Sequence, residues 1–146
     1  MNGVLVCCEN LAVDQDEHLT VYATVQLIGR SAIGKGKGTL VQTDIDHSTS
    51  PIFNQEFTLE KGKLGDSVQV ILYQQHSVNG LQRIGIARIP IHDVTEGPNI
   101  PKLYPLLKPR NFNGENAIQK RHESYGTVTI VLNHHESFIE PEEKQQ

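Results

Sequence analysis

The stretch Ser50-Pro51-Ile52-Phe53-Asn54-Gln55-Glu56-Phe57 decides how the rest of the chain is read. Pro51 fixes its own φ and drives Ser50 toward extended geometry, so a turn opens here. Phe53, Phe57 and Leu59 then supply the large apolar residues of a strand, with Asn54, Gln55, Glu56 and Thr58 interleaved. Working outward, the same pattern of turn and short alternating run recurs on both sides.

Upstream, residues 4–8 alternate Val4, Val6 and Cys8 against Leu5 and Cys7 and end in the polar pair Glu9-Asn10. An acidic loop follows at 14–18. Residues 21–28 place Ala23, Val25 and Leu27 on one face and Tyr22, Thr24 and Gln26 on the other. Four glycines between 29 and 38 exclude a regular element there, and 39–45 reads as a modest strand. Downstream, Val68, Val70 and Leu72 alternate with Gln69, Ile71 and Tyr73, and residues 74–82 form a polar loop around Asn79-Gly80. Residues 84–91 follow, then 103–107, flanked by Pro101, Pro105 and Pro109 as suits an edge strand. The polar segment 114–124 reads as a loop. Last comes a run in which Val128, Ile130 and Leu132 alternate with threonines and Val131. Eight short strands with turns between them and no helical period predict an all-β, eight-stranded antiparallel β-sandwich. Residues 1–136 form this single domain, and 137–146 an acidic, flexible tail.

Composition narrows the function classes. A chain of 146 residues is long enough to bury a core. A formal net charge of −4 excludes a general nucleic-acid binder, and no basic run suggests a polybasic membrane tether. Cys7 and Cys8 are the only cysteines and, as strand neighbours, diverge to opposite faces, so no disulfide is expected. The apolar run 4–8 is too short for a signal peptide or a membrane span. These features point to a cytoplasmic protein that works in a reducing compartment.

The ordered set of motifs resembles a C2 domain. An alternating strand ends in Asn10-Leu11, a tyrosine-centred strand carries Tyr22-Ala23-Thr24-Val25, and the opening stretch matches the family's Asn-Pro-x-Trp/Phe-Asn-Glu-x-Phe signature. Val68 to Tyr73, Ile84-Gly85, Ile89-Pro90-Ile91 and Leu103-Tyr104-Pro105-Leu106-Leu107 follow in the family order, so the likeness covers residues 3 to 134. With Gly126 to Leu132 as the last strand, the resemblance implies the type II topology. It also places the shared face of Phe53 and Phe57 inward.

C2 domains that bind Ca²⁺ use about five aspartates from two loops, because Ca²⁺ takes six to eight hard oxygen ligands. By resemblance the matching positions here are Asp14, Thr20, Gln74, His76 and Gln82, four of which carry no carboxylate. Asp16 and Glu17 offer partial compensation. No bound metal and no cofactor are therefore expected. Family members that bind phosphoinositides carry lysines on the strands before the signature. Thr43-Asp44-Ile45-Asp46-His47-Ser48 is acidic there, which repels phosphate. What remains for a membrane is weak contact through the loop tips, with Leu19, Val78 and Leu81 as apolar residues and Lys35 and Lys37 as the nearby cations.

Other motifs fail on their chemistry. Gly29 to Gly36 with Lys35 lacks the Ser or Thr and the following helix that a phosphate-binding loop needs. His134-His135-Glu136 ends a strand, so its side chains diverge, and His92 and His122 stand alone. His18 and His76 are brought near Asp14 by the resemblance and read as solvated loop residues rather than a Zn²⁺ site. No nucleophile arrangement occurs, and Cys8 reads as a core residue. The resulting expectation is a non-catalytic, Ca²⁺-independent interaction module that docks onto or scaffolds a protein partner. The alternative is weak, Ca²⁺-independent attachment to anionic phospholipid, as in membrane trafficking.

Overall fold

The computed structural model describes residues 1–11, 13, 19–29, 36–63, 65–76, 80–94, 100–108 and 124–133. Eight strands carry the fold: β1 (Asn2–Glu9), β2 (Val21–Ile28), β3 (Gly36–Gln42), β4 (Ile52–Thr58), β5 (Ser67–His76), β6 (Gly80–Pro90), β7 (Lys102–Leu107) and β8 (Ser124–Asn133). A 3-10 turn, Ile91–Asp93, follows β6. All pairings are antiparallel, in the order β3-β2-β5-β6-β7-β8-β1-β4.

One junction in this series is nearly bare. β6 and β7 share only the pair Ile86↔Leu107, whereas β5 and β6 run in register from Ser67↔Pro90 to His76↔Gly80. The ladder bends there into two four-stranded layers, β3-β2-β5-β6 and β7-β8-β1-β4. Burial holds the layers together. Val21, Ala23, Val25 and Leu27 of β2, with Val68, Val70 and Leu72 of β5 and Ala87 and Ile89 of β6, cluster with Leu5, Cys8, Phe57, Leu106, Val128 and Ile130 of the second layer. Inward residues recur at period two because successive side chains point to opposite faces of a strand. β8 lies between β7 and β1, as the type II topology requires.

The structure departs from strict alternation at several places, each with a local cause. In β1, both Leu5 and Cys8 are buried although they are three apart. Leu5 pairs with Ile130 and Cys7 with Thr129, so one extra residue on β1 makes a bulge and reverses the phase. The expected face set of Val4, Val6 and Cys8 is therefore broken. In β4, Asn54 has a φ of 46° and Phe53 is only half-buried, while Phe57 is buried. The shared inward face of the two phenylalanines holds fully for Phe57 alone, although Phe53 packs against the edge of the core.

β3 begins at Gly36, inside the glycine-rich stretch expected to be irregular, and leaves the ladder after Gln42 rather than continuing to residue 45. Gly38 adopts a φ of 72°, which only glycine takes without strain. A Cβ there would also collide with the Glu60 carboxylate. That carboxylate caps the open edge of β3: the Thr39 amide donates to both oxygens at 3.1 Å and the Thr39 hydroxyl to one at 2.9 Å. An unpaired edge amide is a template for unwanted strand pairing, and Glu60 occupies this one. Beyond β3, the Thr43 amide donates to the Ala23 carbonyl at 2.9 Å and the Thr43 hydroxyl accepts from the Ala23 amide at 3.0 Å.

Two outcomes test this packing. Phe57→Ala should cost about 3–5 kcal/mol in urea denaturation, the usual loss for a buried phenylalanine, and Phe53→Ala distinctly less. Equal losses at the two positions would contradict the half-exposed placement of Phe53. For Glu60, hydrogen bonds from its own backbone amide, then from the Thr39 hydroxyl and amide, hold the carboxyl below the usual 4.5. A depressed carboxylate pKa adds stability above the unfolded value and loses it as pH falls through the folded one. The stability difference between the wild type and Glu60→Gln should therefore shrink once pH drops below 4.5, read from melting curves across that range.

Candidate functional site

At one end of the sandwich, β2, β5 and β6 bring three of the sequence-predicted positions side by side. Val21 pairs with Gln74, and Gln74 with Gln82. Thr20 joins them through its carbonyl, which accepts the Gln75 amide at 2.9 Å. His76 lies at the end of β5, paired with Gly80 across the hairpin, and is half-buried. Asp14, Asp16, Glu17 and His18 lie outside the described residues, as does Val78.

This geometry corrects the expectation of a polar loop over 74–82. Gln74, Gln75 and His76 extend β5, and Gly80 to Gln82 begin β6, so Gln74 and Gln82 are paired strand residues. Gly80, with a φ of 77°, takes up the turn. Gln74 is 0% exposed and on the core side of β5, in phase with Val70 and Leu72. A carboxylate at such a depth needs a cation or a dense set of donors, whereas a carboxamide is neutral and needs only hydrogen bonds. Thr20, Gln74 and Gln82 offer oxygens with no fixed charge. Among the described residues, no three His, Cys, Asp or Glu side chains are grouped to hold a metal ion.

The loop-tip contacts sort differently. Leu81 is 49% exposed, on the outward side of β6 opposite Gln75. Leu19 is half-buried, and its carbonyl accepts Nδ1–H of His47 at 2.7 Å. Lys37 pairs with Leu27 in the β2–β3 ladder, and Lys35 lies outside the described residues.

A second correction concerns the acidic stretch 43–48. It follows β3 instead of lying on it, and Asp46 bridges Val21 through two backbone hydrogen bonds of 2.9 and 2.8 Å. Residues 43–46 thus run on beside β2 at the edge of the layer β3-β2-β5-β6 and its outer face. That face carries residues that strand-by-strand reading did not connect. Tyr22 and Tyr73 pair across β2 and β5 and stack with ring centroids 5.1 Å apart at 19°. Arg83 pairs with Tyr73, and Arg88 donates from Nε to the Gln69 side-chain oxygen at 3.1 Å. The alternation of Tyr22 and Tyr73 was visible in each strand. The register that superposes them was not.

The thiols complete the inventory. Burial, and then the neighbouring Cys7, push the Cys8 thiol up to about 12, so it remains a neutral core group at physiological pH. Cys7 is half-buried on the other side of the bulge.

Comparisons with known proteins agree with this architecture. A family model described as C2 domain matches residues 3–106. Among solved structures, a C2 domain of plant Extended Synaptotagmin 1 superposes with a TM-score of 0.65 at 11% identity, covering 89% of this chain and 88% of that one. A structure of CC2D1B, described as coordinating ESCRT-III activity during mitotic reformation of the nuclear envelope, superposes with a TM-score of 0.60 at 14% identity. That alignment covers 90% of this chain and 53% of the other, so the chain spans about half the length of that relative. A search of curated protein sequences returned no match.

Thiol titration tests the placement of the cysteines. One equivalent of a thiol reagent should react in the native protein, at Cys7, and two after unfolding. Fast native labelling of Cys8 would mean that β1 lacks the bulge that turns this side chain inward.

Proposed function

This chain belongs to the C2 domain family, and from that premise we propose that it is a non-catalytic interaction module, independent of Ca²⁺, that docks onto a protein partner. The observation that carries this reading is Gln74, a neutral side chain 0% exposed and paired with Gln82. By resemblance both positions belong to carboxylate ligands of Ca²⁺. In a Ca²⁺-switched site, clustered carboxylates repel one another until the cation neutralises them, so binding both stabilises the loops and reverses the local potential. Thr20, Gln74 and Gln82 leave little repulsion to relieve. Affinity in oxygen-ligand sites falls as ligand charge is removed.

A second reading has its own support. Arg83 and Arg88 lie on the aromatic outer face of β2, β5 and β6, and Leu81 is exposed at its loop end. Together they favour weak, Ca²⁺-independent contact with an anionic membrane. Each cation near such a surface adds only about 1 kcal/mol, so two give marginal attachment. No helix among the described residues is long and apolar enough to cross a membrane.

Melting curves in EDTA and in about 1 mM CaCl₂ should overlay, since a site filled at ~100 times its Kd would add about 2.7 kcal/mol. Flotation with anionic liposomes should leave the protein at the bottom of the gradient whether or not Ca²⁺ is present. A Ca²⁺-dependent rise of several degrees in Tm would instead assign a metal site to this end of the sandwich. Flotation without Ca²⁺ that Arg83→Gln/Arg88→Gln abolishes would select the membrane reading.

A further inference from the structure

We propose that the outer face of β7-β8-β1-β4 is the docking surface, and that its partner is a cationic amphipathic segment. This rests on the docking reading above and names the face and the chemistry of the partner. The pairings Leu103↔Thr129, Thr129↔Cys7 and Cys7↔Ile52 set one row of side chains across all four strands of the layer. Both ends of the row are exposed leucine or isoleucine: Leu103 is 64% and Ile52 66% exposed. In the next row the buried Val131 pairs with the half-buried Val4, and Val4 in turn pairs with the exposed Glu56. Beside it, an open groove of about 660 Å³ lies over β8, β1 and β4, lined in part by Val4, Glu56, Thr58 and Val131.

Charge selects the partner. On this face the outward register positions of the four strands hold two carboxylates, Glu9 opposite Thr127 and Glu56 opposite Val4, and no lysine or arginine among the described residues. The opposite outer face holds Arg83 and Arg88 and no carboxylate on β2, β5 and β6. An apolar row bordered by two exposed carboxylates repels an anionic lipid surface and attracts apolar side chains flanked by lysine or arginine. Geometry admits a helix. The row spans three strand spacings, roughly 14 Å at 4.8 Å each. Apolar residues one turn apart on a helix recur every ~5.4 Å, close to that spacing. The exposed ends of the row, Leu103 and Ile52, lie on a layer already packed on its other side, so one partner laid across the four strands would cover both.

The test uses a helical peptide of Leu and Lys, roughly 14 residues and so ~21 Å long, against a Leu/Glu peptide of the same pattern. Binding is read by fluorescence anisotropy and mapped by amide chemical shifts on the full chain. The Leu/Lys peptide should bind with shifts at Leu103, Thr129, Cys7 and Ile52, and the Leu/Glu peptide should not bind. Leu103→Lys/Ile52→Lys should weaken binding at least about tenfold while the melting curve stays in place, both residues being exposed. Glu9→Gln/Glu56→Gln should weaken it a few-fold and flatten its salt dependence. Absence of binding, binding untouched by the lysine pair, or shifts centred on Tyr22 and Tyr73 would overturn the assignment. So would sedimentation showing self-association that the lysine pair abolishes, since the occupant would then be a second copy. Failure of the docking reading is separately visible as liposome flotation through Arg83 and Arg88.

Discussion

Two four-stranded layers that share a single pair of bridging residues, Ile86 and Leu107, must be held by what lies between them. That is apolar surface removed from water. Leu27, Val68, Val70 and Ile89 from one layer, and Leu5, Leu106, Val128 and Ile130 from the other, are 0 to 1% exposed. Each fully buried aliphatic side chain contributes about 1.5–3 kcal/mol, and the backbone ladders are satisfied within each layer. The bent ladder therefore depends on the core far more than on its junction. Gly85 shows how close the approach is: a Cβ there would press on the side chain of Leu106.

That constraint explains why the bulges matter. A sandwich needs every strand to keep one phase toward the core, and a strand that must also curve needs an extra residue somewhere. β1 gains it between Leu5 and Cys7, β5 and β6 adjust between Leu72 and Tyr73, and β2 and β3 shift between Gln26 and Leu27. The consequence reaches the surface. Because the β1 bulge turns Cys8 inward, Cys7 faces outward in the row that links Leu103 to Ile52.

The same layering separates the two outer faces electrically. One collects Tyr22, Tyr73, Arg83 and Arg88; the other collects Leu103, Ile52, Glu9 and Glu56. A net charge of −4 conveys nothing of this division. Gln74, a neutral side chain, is buried at the loop end of β5.

By itself, the sequence determined the fold class, the number of strands and their order, because alternation and turn residues are local properties with a period of two. It also determined that positions 20, 74 and 82 carry no carboxylate, since residue identity needs no coordinates. Strand ends and faces were another matter. The glycines at 36 and 38 read as a loop but enter β3, since Gly38 can take a left-handed φ where the strand bends past Glu60. Residues 74–76 and 80–82 read as a polar loop but pair across a hairpin. The stack of Tyr22 on Tyr73 and the row from Leu103 to Ile52 join residues 51 apart in sequence in each case. Such neighbours are chosen by inter-strand register, and register is settled only when both layers bury their apolar faces together.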